Sequence, residues 1–165
     1  LENAKKQNLH TVFNPAPYSP EVLNYPLHLV DALIVNETEA QGILATNSDN
    51  EEFLLNELRK RFPQALLFLT LGANGMVCDL PVEGGRRFFF KAFRVNAVDT
   101  TGAGDTFVGY AMKAIMVFLT QQDIEKFKAL IEEAMLAAAI SVTRCGAVPS
   151  IPPFEEVVQF KQMKV

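Results

Sequence analysis

Residues 31–44 read DALIVNETEAQGIL, an apolar run that passes directly into the pattern of a helix. The run at 31–35 lacks the polar alternation of a half-exposed strand, so it predicts a strand buried on both faces. Asn36 then stands three residues before Glu39, the spacing of a capping box, which predicts that a helix begins there. A buried strand that leads into a helix is the building unit of an α/β fold.

The segments on either side of this unit continue the alternation of apolar strands and helices. In chain order, the other predicted elements are a buried strand at 9–14, a helix at 51–62, a buried strand at 65–70, a turn at 72–75, a strand pair at 76–80 and 86–91, helices at 104–119 and 123–143, and a last helix from about Phe154. This order predicts an α/β fold with a largely parallel sheet flanked by helices. Ligands of such sheets bind beyond the carboxyl ends of the strands, so Asn36, Glu39, residues 70–75 and the 99–105 loop could share one edge.

The composition is that of a globular protein and limits the classes of partner. The 165 residues are 49% hydrophobic and 21% charged, with a net charge of −4 and no conspicuous Lys/Arg cluster. This argues against nucleic acid or an anionic membrane as the main partner. No apolar run approaches the roughly 20 residues of a membrane span and no signal peptide is apparent, so we expect a cytoplasmic protein, with the nucleus as an alternative. Cys78 and Cys145 are expected to stay reduced.

The most unusual stretch is AVDTTGAGDTFVGYAM at 97–112, which places two glycines and an acid at the start of a predicted helix. The small residues 102–104 let backbone amides approach a ligand closely, and the helix N-terminus favours an anion. Asp105 could accept the proton of an incoming hydroxyl while these amides stabilise charge on a transferred phosphoryl group. The same residues also favour a plain capped helix, so the segment alone leaves both interpretations open. It does not match the Walker pattern, because no Gly-Lys-Ser/Thr follows.

The string at 98–112 closely resembles the C-terminal signature of the PfkB-type carbohydrate kinase family. Four further segments resemble ribokinase-type motifs of that family in the same order, namely NPAP at 14–17, NETE at 36–39, TLGANG at 70–75 and AAAISVTRCGAVPS at 137–150. The resemblance implies a ribokinase-like three-layer α/β fold with a largely parallel sheet. Residues 1–165 would be its C-terminal nucleotide-binding and catalytic part, because the N-terminal sugar-binding half and lid of the family have no counterpart here.

The resemblance also implies a reaction, the ATP-dependent phosphorylation of D-ribose at its 5-hydroxyl. Asp105 would be the catalytic base, and Gly102, Ala103 and Gly104 would form the anion hole with the amide of Asp105. This chain alone is expected to be inactive or weakly active, and a homodimer is an open alternative for a full-length parent. Two other functions stay open: a non-catalytic module that binds ATP or a partner, and a fructokinase or nucleoside kinase of the same family.

Further residues are assigned to the nucleotide by the same resemblance. Asn36 would face the ATP phosphates, the 70–75 loop would lie against the phosphates and the ribose, and Met135 stands where relatives place a polar adenine contact. The full set expected at the nucleotide is Asn36, Thr70, Leu71, Gly72, Ala73, Asn74, Gly75, Gly104, Asp105 and Met135. A capping box and a hairpin turn are the structural alternatives for the first two segments.

Two metal ions are implied in the same way. Glu39 would act on Mg²⁺ through water. A monovalent cation, usually potassium in ribokinases, would be bound by Asp99, the carbonyls of Thr101, Ser141, Arg144 and Gly146, and the hydroxyl of Ser150. Backbone carbonyls suit potassium because it is large and weakly hydrated. The alternative for residues 144–146 is an ordinary helix C-cap, in which the glycine supplies a left-handed turn.

Overall fold

The structure is a computed structural model that describes residues 1–163. The chain divides into two compact units, Leu1–Lys91 and Ala92–Val165. The first unit contains α1 (Glu2–Lys6), β1 (Val12–Phe13), β2 (Ala32–Asn36), α2 (Glu37–Leu44), α3 (Glu51–Arg61), β3 (Leu66–Thr70), β4 (Gly75–Leu80) and β5 (Arg86–Lys91). The second contains α4 (Ala103–Gln121), α5 (Ile124–Ser141) and α6 (Phe154–Met163).

The five strands form one mixed sheet in the order β1-β2-β3-β4-β5. The pairs β1–β2 and β2–β3 are parallel, whereas β3–β4 and β4–β5 are antiparallel. The α/β class and the flanking helices are therefore confirmed, but parallel pairing covers only half of this sheet. The physical reason is the short turn after β3, which sends the chain straight back, so that the predicted strand pair extends the sheet as a hairpin.

The central strands β2 and β3 are buried on both faces, as their continuous apolar runs predict. One face shares a hydrophobic cluster with α2 and α3, formed by Leu33, Val35, Leu67 and Leu69 with Ile43, Leu54 and Leu58. The opposite face of the same strands carries Ala32, Ile34, Leu66 and Phe68, which are at most 2% exposed. Burial on both faces explains why neither strand alternates apolar with polar residues.

Strand β1 is shorter and less buried than the strand predicted at 9–14. Only Val12 and Phe13 pair with β2, both are half-buried, and Leu9 is largely exposed. The Thr11 N–H donates to the Asp31 carboxylate at 2.7 Å, while the Thr11 carbonyl accepts from the N–H groups of Asp31 and Ala32. No other described strand pairs with β1, which leaves its outer edge uncovered and accounts for the lower burial.

Helices α4, α5 and α6 build the second unit and follow the predicted helices within about two residues at each end. Phe118 of α4 packs on Phe127 of α5 with ring centroids 5.6 Å apart. The side chain of Asp123 caps α5 by accepting from the Lys126 N–H. Val157 of α6 is fully buried in a cluster with Leu136, Ala137 and Ile140 of α5, so the last helix is firmly packed in this unit.

Both cysteines are free thiols, as expected from their unrelated settings. Cys78 is buried in β4, and burial raises the pKa of its thiol well above the usual value. Cys145 is exposed in the loop after α5. Within residues 1–163, no helix has both the length and the apolar character that crossing a bilayer requires.

Candidate active site

Helix α4 begins in a geometry that only glycine accommodates at the preceding residue. Gly102 has φ +78°, in the left-handed region, and serves as the N-cap of α4. A Cβ at this position would lie only 3.1 Å from the Cα of Ala147. Both the backbone angle and the close approach of the 147 backbone therefore require glycine at the start of this helix.

The N-terminus of α4 presents unsatisfied amides to open space. No side chain caps the helix. The Ala103 N–H donates to the Thr100 carbonyl at 3.3 Å, and the Thr106 N–H donates to the Gly102 carbonyl at 2.8 Å. The N–H groups of Gly104 and Asp105 have no acceptor among the described residues. A Cβ built on Gly104 would meet nothing within 4 Å. Free amides, the helix dipole and open space together suit a small anion such as a phosphate group.

Asp105 lies in the first turn of α4, beside these amides, and is exposed. Its carboxylate has no hydrogen-bond or ion-pair partner within residues 1–163. It stands at a concave pocket of about 410 Å³ between α4, α5 and the start of α6, whose walls include Lys113, Leu130 and Phe154. The carboxylate is thus free to accept a proton from a bound hydroxyl. The lining combines apolar side chains with the polar groups of Tyr110 and Glu133.

Asp99 joins the loop before α4 to the loop after α5. Its Oδ1 accepts from the Thr101 N–H at 2.9 Å, and its Oδ2 accepts from the Gly146 N–H at 2.8 Å. The hydrogen bond from Gly146, followed by those from Thr101, lowers the pKa of Asp99 to about 2. The backbone adds a second connection, because the Val98 N–H donates to the Val142 carbonyl at 2.7 Å.

The other residues expected at a monovalent cation lie in these same two loops, except Ser141, which is the last residue of α5. Ser141 and Ser150 are fully buried, and the Ser150 hydroxyl donates to the Ala147 carbonyl at 2.7 Å. The Arg144 N–H donates to the Ser141 carbonyl at 3.1 Å. Gly146 has φ +86°, but the C-cap of α5 is Val142 in right-handed geometry, so the helix C-cap expected at residues 144–146 is not found there. A carboxylate, carbonyls and a hydroxyl form an oxygen-only donor set, which fits potassium. Within the described residues, no cluster of three or more His, Cys, Asp or Glu side chains could hold a metal ion.

In the first unit, Asn36, Glu39 and Thr70 come together at the carboxyl ends of β2 and β3. The capping box is present: Asn36 Oδ1 accepts from the Glu39 N–H at 2.8 Å, and Glu39 Oε2 accepts from the Asn36 N–H at 2.9 Å. Asn36 pairs in register with Thr70, whose hydroxyl donates to the Val35 carbonyl at 3.3 Å. Glu39 is buried, and its Oε2 is occupied by the capping box. If Glu39 contacts Mg²⁺ through water, the contact would be made by its Oε1.

The 70–75 loop forms the predicted turn. Leu71 is buried and its N–H donates to the Gly75 carbonyl at 2.8 Å, which closes the hairpin. Gly72, Ala73 and Asn74 form one exposed 3₁₀ turn, and a Cβ on Gly72 would meet nothing within 4 Å. The turn therefore leaves backbone accessible to a ligand. Met135, the last residue expected at the nucleotide, is half-buried in α5.

No sequence pattern indicated three residues that hold the loops of the second unit, namely Tyr110, Ala147 and Glu156. The Arg144 guanidinium forms an ion pair with Glu156 at the start of α6. The Tyr110 hydroxyl donates to the Pro152 carbonyl at 2.7 Å, and Ala147 abuts Gly102. An acid in the first turn of a helix is too common to indicate a partner, so no sequence signal distinguished Glu156.

Comparison with known proteins identifies relatives over most of the chain. Residues 1–153 match the description "pfkB family carbohydrate kinase". A ribokinase from Haemophilus influenzae is 34% identical over 162 residues, which cover 95% of this chain and 49% of that protein. The structure of ribokinase from Giardia lamblia gives a TM-score of 0.81 at 26% identity, covering 99% of this chain and 54% of that one. A ribokinase from Cryptococcus neoformans var. grubii in complex with ADP gives 0.74 at 27%, covering 94% and 53%. The chain spans about half the length of the curated relatives it matches.

Proposed function

Because the chain belongs to the pfkB family of carbohydrate kinases, we propose that it carries the nucleotide-binding and catalytic part of an ATP-dependent sugar kinase. The proposed reaction is the transfer of the γ-phosphoryl group of ATP to the 5-hydroxyl of D-ribose. One observation carries the proposal: the uncapped N-terminus of α4 offers free amides beside the unpaired carboxylate of Asp105. Phosphoryl transfer needs these two elements together, a place for negative charge and a base for the acceptor hydroxyl.

The chain's own groups have separate tasks in this reaction. Asp105 accepts the proton of the 5-hydroxyl as that oxygen attacks the γ-phosphorus, and ADP leaves as the bond to its β-phosphate oxygen breaks. The amides of Gly104 and Asp105 stabilise the negative charge on the transferred group, while Gly102 and Ala103 give that group access to them. ATP supplies the phosphoryl group when it is bound.

The nucleotide would also be contacted in the first unit. Asn36 would face the phosphates with its amide nitrogen, since its side-chain oxygen already holds the helix cap. The exposed backbone of the turn formed by Gly72–Asn74 would lie against the phosphates and ribose of the nucleotide. In the second unit, Met135 would pack on adenine without a polar contact. The ADP complex of the related Cryptococcus ribokinase supports nucleotide binding by this fold.

The cations would be held by residues that already have defined positions. Glu39 would hold Mg²⁺ through water, and Asp99, Ser150 and neighbouring carbonyls would hold potassium. When bound, the cations neutralise phosphate charge that a family without a P-loop lysine cannot offset with a side chain. Asp99 then has two roles, because its carboxylate also orients the loops through the Thr101 and Gly146 amides.

A second function is a module that binds ATP without transferring phosphate, because the free amides at the start of α4 could hold a phosphate group without the Asp105 carboxylate taking part. Fructose and nucleosides are alternative acceptors to ribose, because the reaction at Asp105 requires only an acceptor hydroxyl.

Isothermal titration with MgADP and an assay of ATP-to-ribose transfer, with and without K⁺, separate these functions. For the kinase, we expect MgADP binding by this chain and transfer by this chain or by a form extended to the relatives' length. Asp105→Asn should abolish transfer and leave MgADP binding within about twofold. Binding without transfer in either form would favour the module, and transfer that survives Asp105→Asn would disprove the mechanism.

A further inference from the structure

We propose that Glu156, on α6, is a positioning residue that sets the cation affinity of the 141–150 segment through Arg144. The inference rests on the proposed function, because it concerns the monovalent cation expected beside the α4 N-terminus. It assigns a task to the C-terminal helix, which none of the motifs includes.

Arg144 and Glu156 form an ion pair. Arg144 Nη2 contacts Glu156 Oε1, and the two side chains are 36% and 22% exposed, so the contact is partly shielded from water. Arg144 lies in the turn after α5, whereas Glu156 lies in the first turn of α6. The pair therefore connects an irregular segment to a regular helix.

Helix α6 is held in place by its packing against α5. Val157, next to Glu156, is fully buried against Leu136, Ala137 and Ile140 of α5. The segment that leads into α6 is also held, because the Tyr110 hydroxyl of α4 donates to the Pro152 carbonyl at 2.7 Å. A carboxylate on such a helix presents its oxygen at a defined place.

Backbone hydrogen bonds connect Arg144 to the expected cation ligands. The Arg144 N–H donates to the Ser141 carbonyl, and the N–H of Gly146, two residues on, donates to Asp99 Oδ2. Displacement of Arg144 would therefore shift its own carbonyl and those of Ser141 and Gly146. A cation held by several weak carbonyl contacts responds to such shifts, since no single strong ligand fixes it.

A second ion pair of α6 provides a matched control. Lys161 Nζ contacts Glu133 Oε1 at 3.0 Å and joins α6 to α5 without contacting the 141–150 segment. Loss of either pair should weaken the packing of α6 by a similar small amount. Only loss of the Glu156 pair should change cation binding.

The test measures the melting temperature of the chain during titration with KCl, at constant ionic strength set with choline chloride. We expect Glu156→Gln to raise the K⁺ concentration for half-maximal stabilisation about two- to fivefold, as loss of a modest ion pair implies. Arg144→Gln should have the same effect and the double variant no more than either single variant. Arg144→Lys should restore part of the affinity, and Lys161→Gln should leave the half-maximal concentration unchanged.

Two outcomes would overturn the inference. One is a lower melting temperature for Glu156→Gln with an unchanged half-maximal K⁺ concentration, which would make the pair merely structural. The other is additive effects of the two single variants in the double variant. MgADP binding, measured in parallel without K⁺, distinguishes failure of this inference from failure of the proposed function. If the wild-type chain binds MgADP but K⁺ does not change its melting temperature, this inference fails and the proposed kinase function stands.

Discussion

At the scale of single residues, the start of α4 depends on two glycines with different tasks. Gly102 is required by its left-handed backbone angle and by the close approach of Ala147. Gly104 has helical geometry and open space around it, so the fold itself does not require glycine there. The sequence motif treats both positions alike, whereas the structure separates a folding requirement from a binding requirement.

Alanine at these two positions should therefore have opposite effects on stability. Gly102→Ala should lower the free energy of unfolding by about 1–3 kcal/mol, because it forces an L residue into a left-handed backbone angle and into tight contact with Ala147. Gly104→Ala should leave stability unchanged or raise it by up to about 1 kcal/mol, since alanine favours helix, and should still weaken MgADP binding by filling the open space. Urea unfolding and isothermal titration measure both quantities. Tight MgADP binding by Gly104→Ala would contradict an anion site at these amides.

At the scale of elements, an asparagine side chain caps each of two helices, and only one of these caps belongs to the candidate site. Asn36 caps α2 and Asn50 caps α3, each by accepting the N–H of the third residue that follows. A cap explains both asparagines equally well as a matter of helix stability. The difference is location, because Asn36 also lies at the carboxyl end of β2, opposite Thr70.

Substitution of the two caps separates stability from binding. Asn36→Ala and Asn50→Ala should each lower the free energy of unfolding by about 1 kcal/mol, the usual cost of losing an N-cap. Only Asn36→Ala should also weaken MgADP binding, by several-fold. Chemical denaturation followed by titration at a temperature where both variants are folded provides the comparison. Equal MgADP affinities of the two variants would reduce Asn36 to a structural role.

At the scale of the whole molecule, the sequence predicts well what depends on neighbouring residues. The apolar runs at 31–35 and 65–70, the Asn36 cap and the turn at Gly72–Asn74 are local patterns, and the structure contains each of them. Contacts between distant segments were not predictable, because nothing in a short window indicates them. The buried carboxylate of Asp79 is an example: it receives hydrogen bonds from Arg59 of α3 and Arg87 of β5.

The free energy of unfolding of the whole molecule is expected to fall at low pH, in part because of Asp31. Partial burial raises the pKa of Asp31, but hydrogen bonds from Lys5 and Thr11 outweigh it and hold the pKa below the usual 3.8. A folded-state pKa below the unfolded one stabilises the protein above about pH 4, and this contribution is lost as the pH falls through the lower folded value. Asp31→Asn should thus cost about 1–2 kcal/mol at pH 7 and progressively less below pH 4.

Urea unfolding at a series of pH values would measure this difference. Glu57→Gln, which breaks the exposed pair with Lys60, is the control and should change stability little at any pH. A constant difference in the free energy of unfolding between Asp31→Asn and the wild type from pH 7 to pH 2 would show that the contribution of Asp31 does not depend on its ionised carboxylate.

The bridge that Asp99 makes between residues 101 and 146 has a consequence for chain connectivity. Those loops adjoin the start of α4 and the end of α5, whereas the Gln122–Asp123 turn lies at the far ends of both helices. The 19 residues of α4 span about 28 Å. Because Asp99, Gly102 and the Arg144 pair hold the near ends directly, the distant turn does not determine their geometry. It is therefore the place where a reporter domain could be inserted, or new termini opened, without disturbing the candidate site.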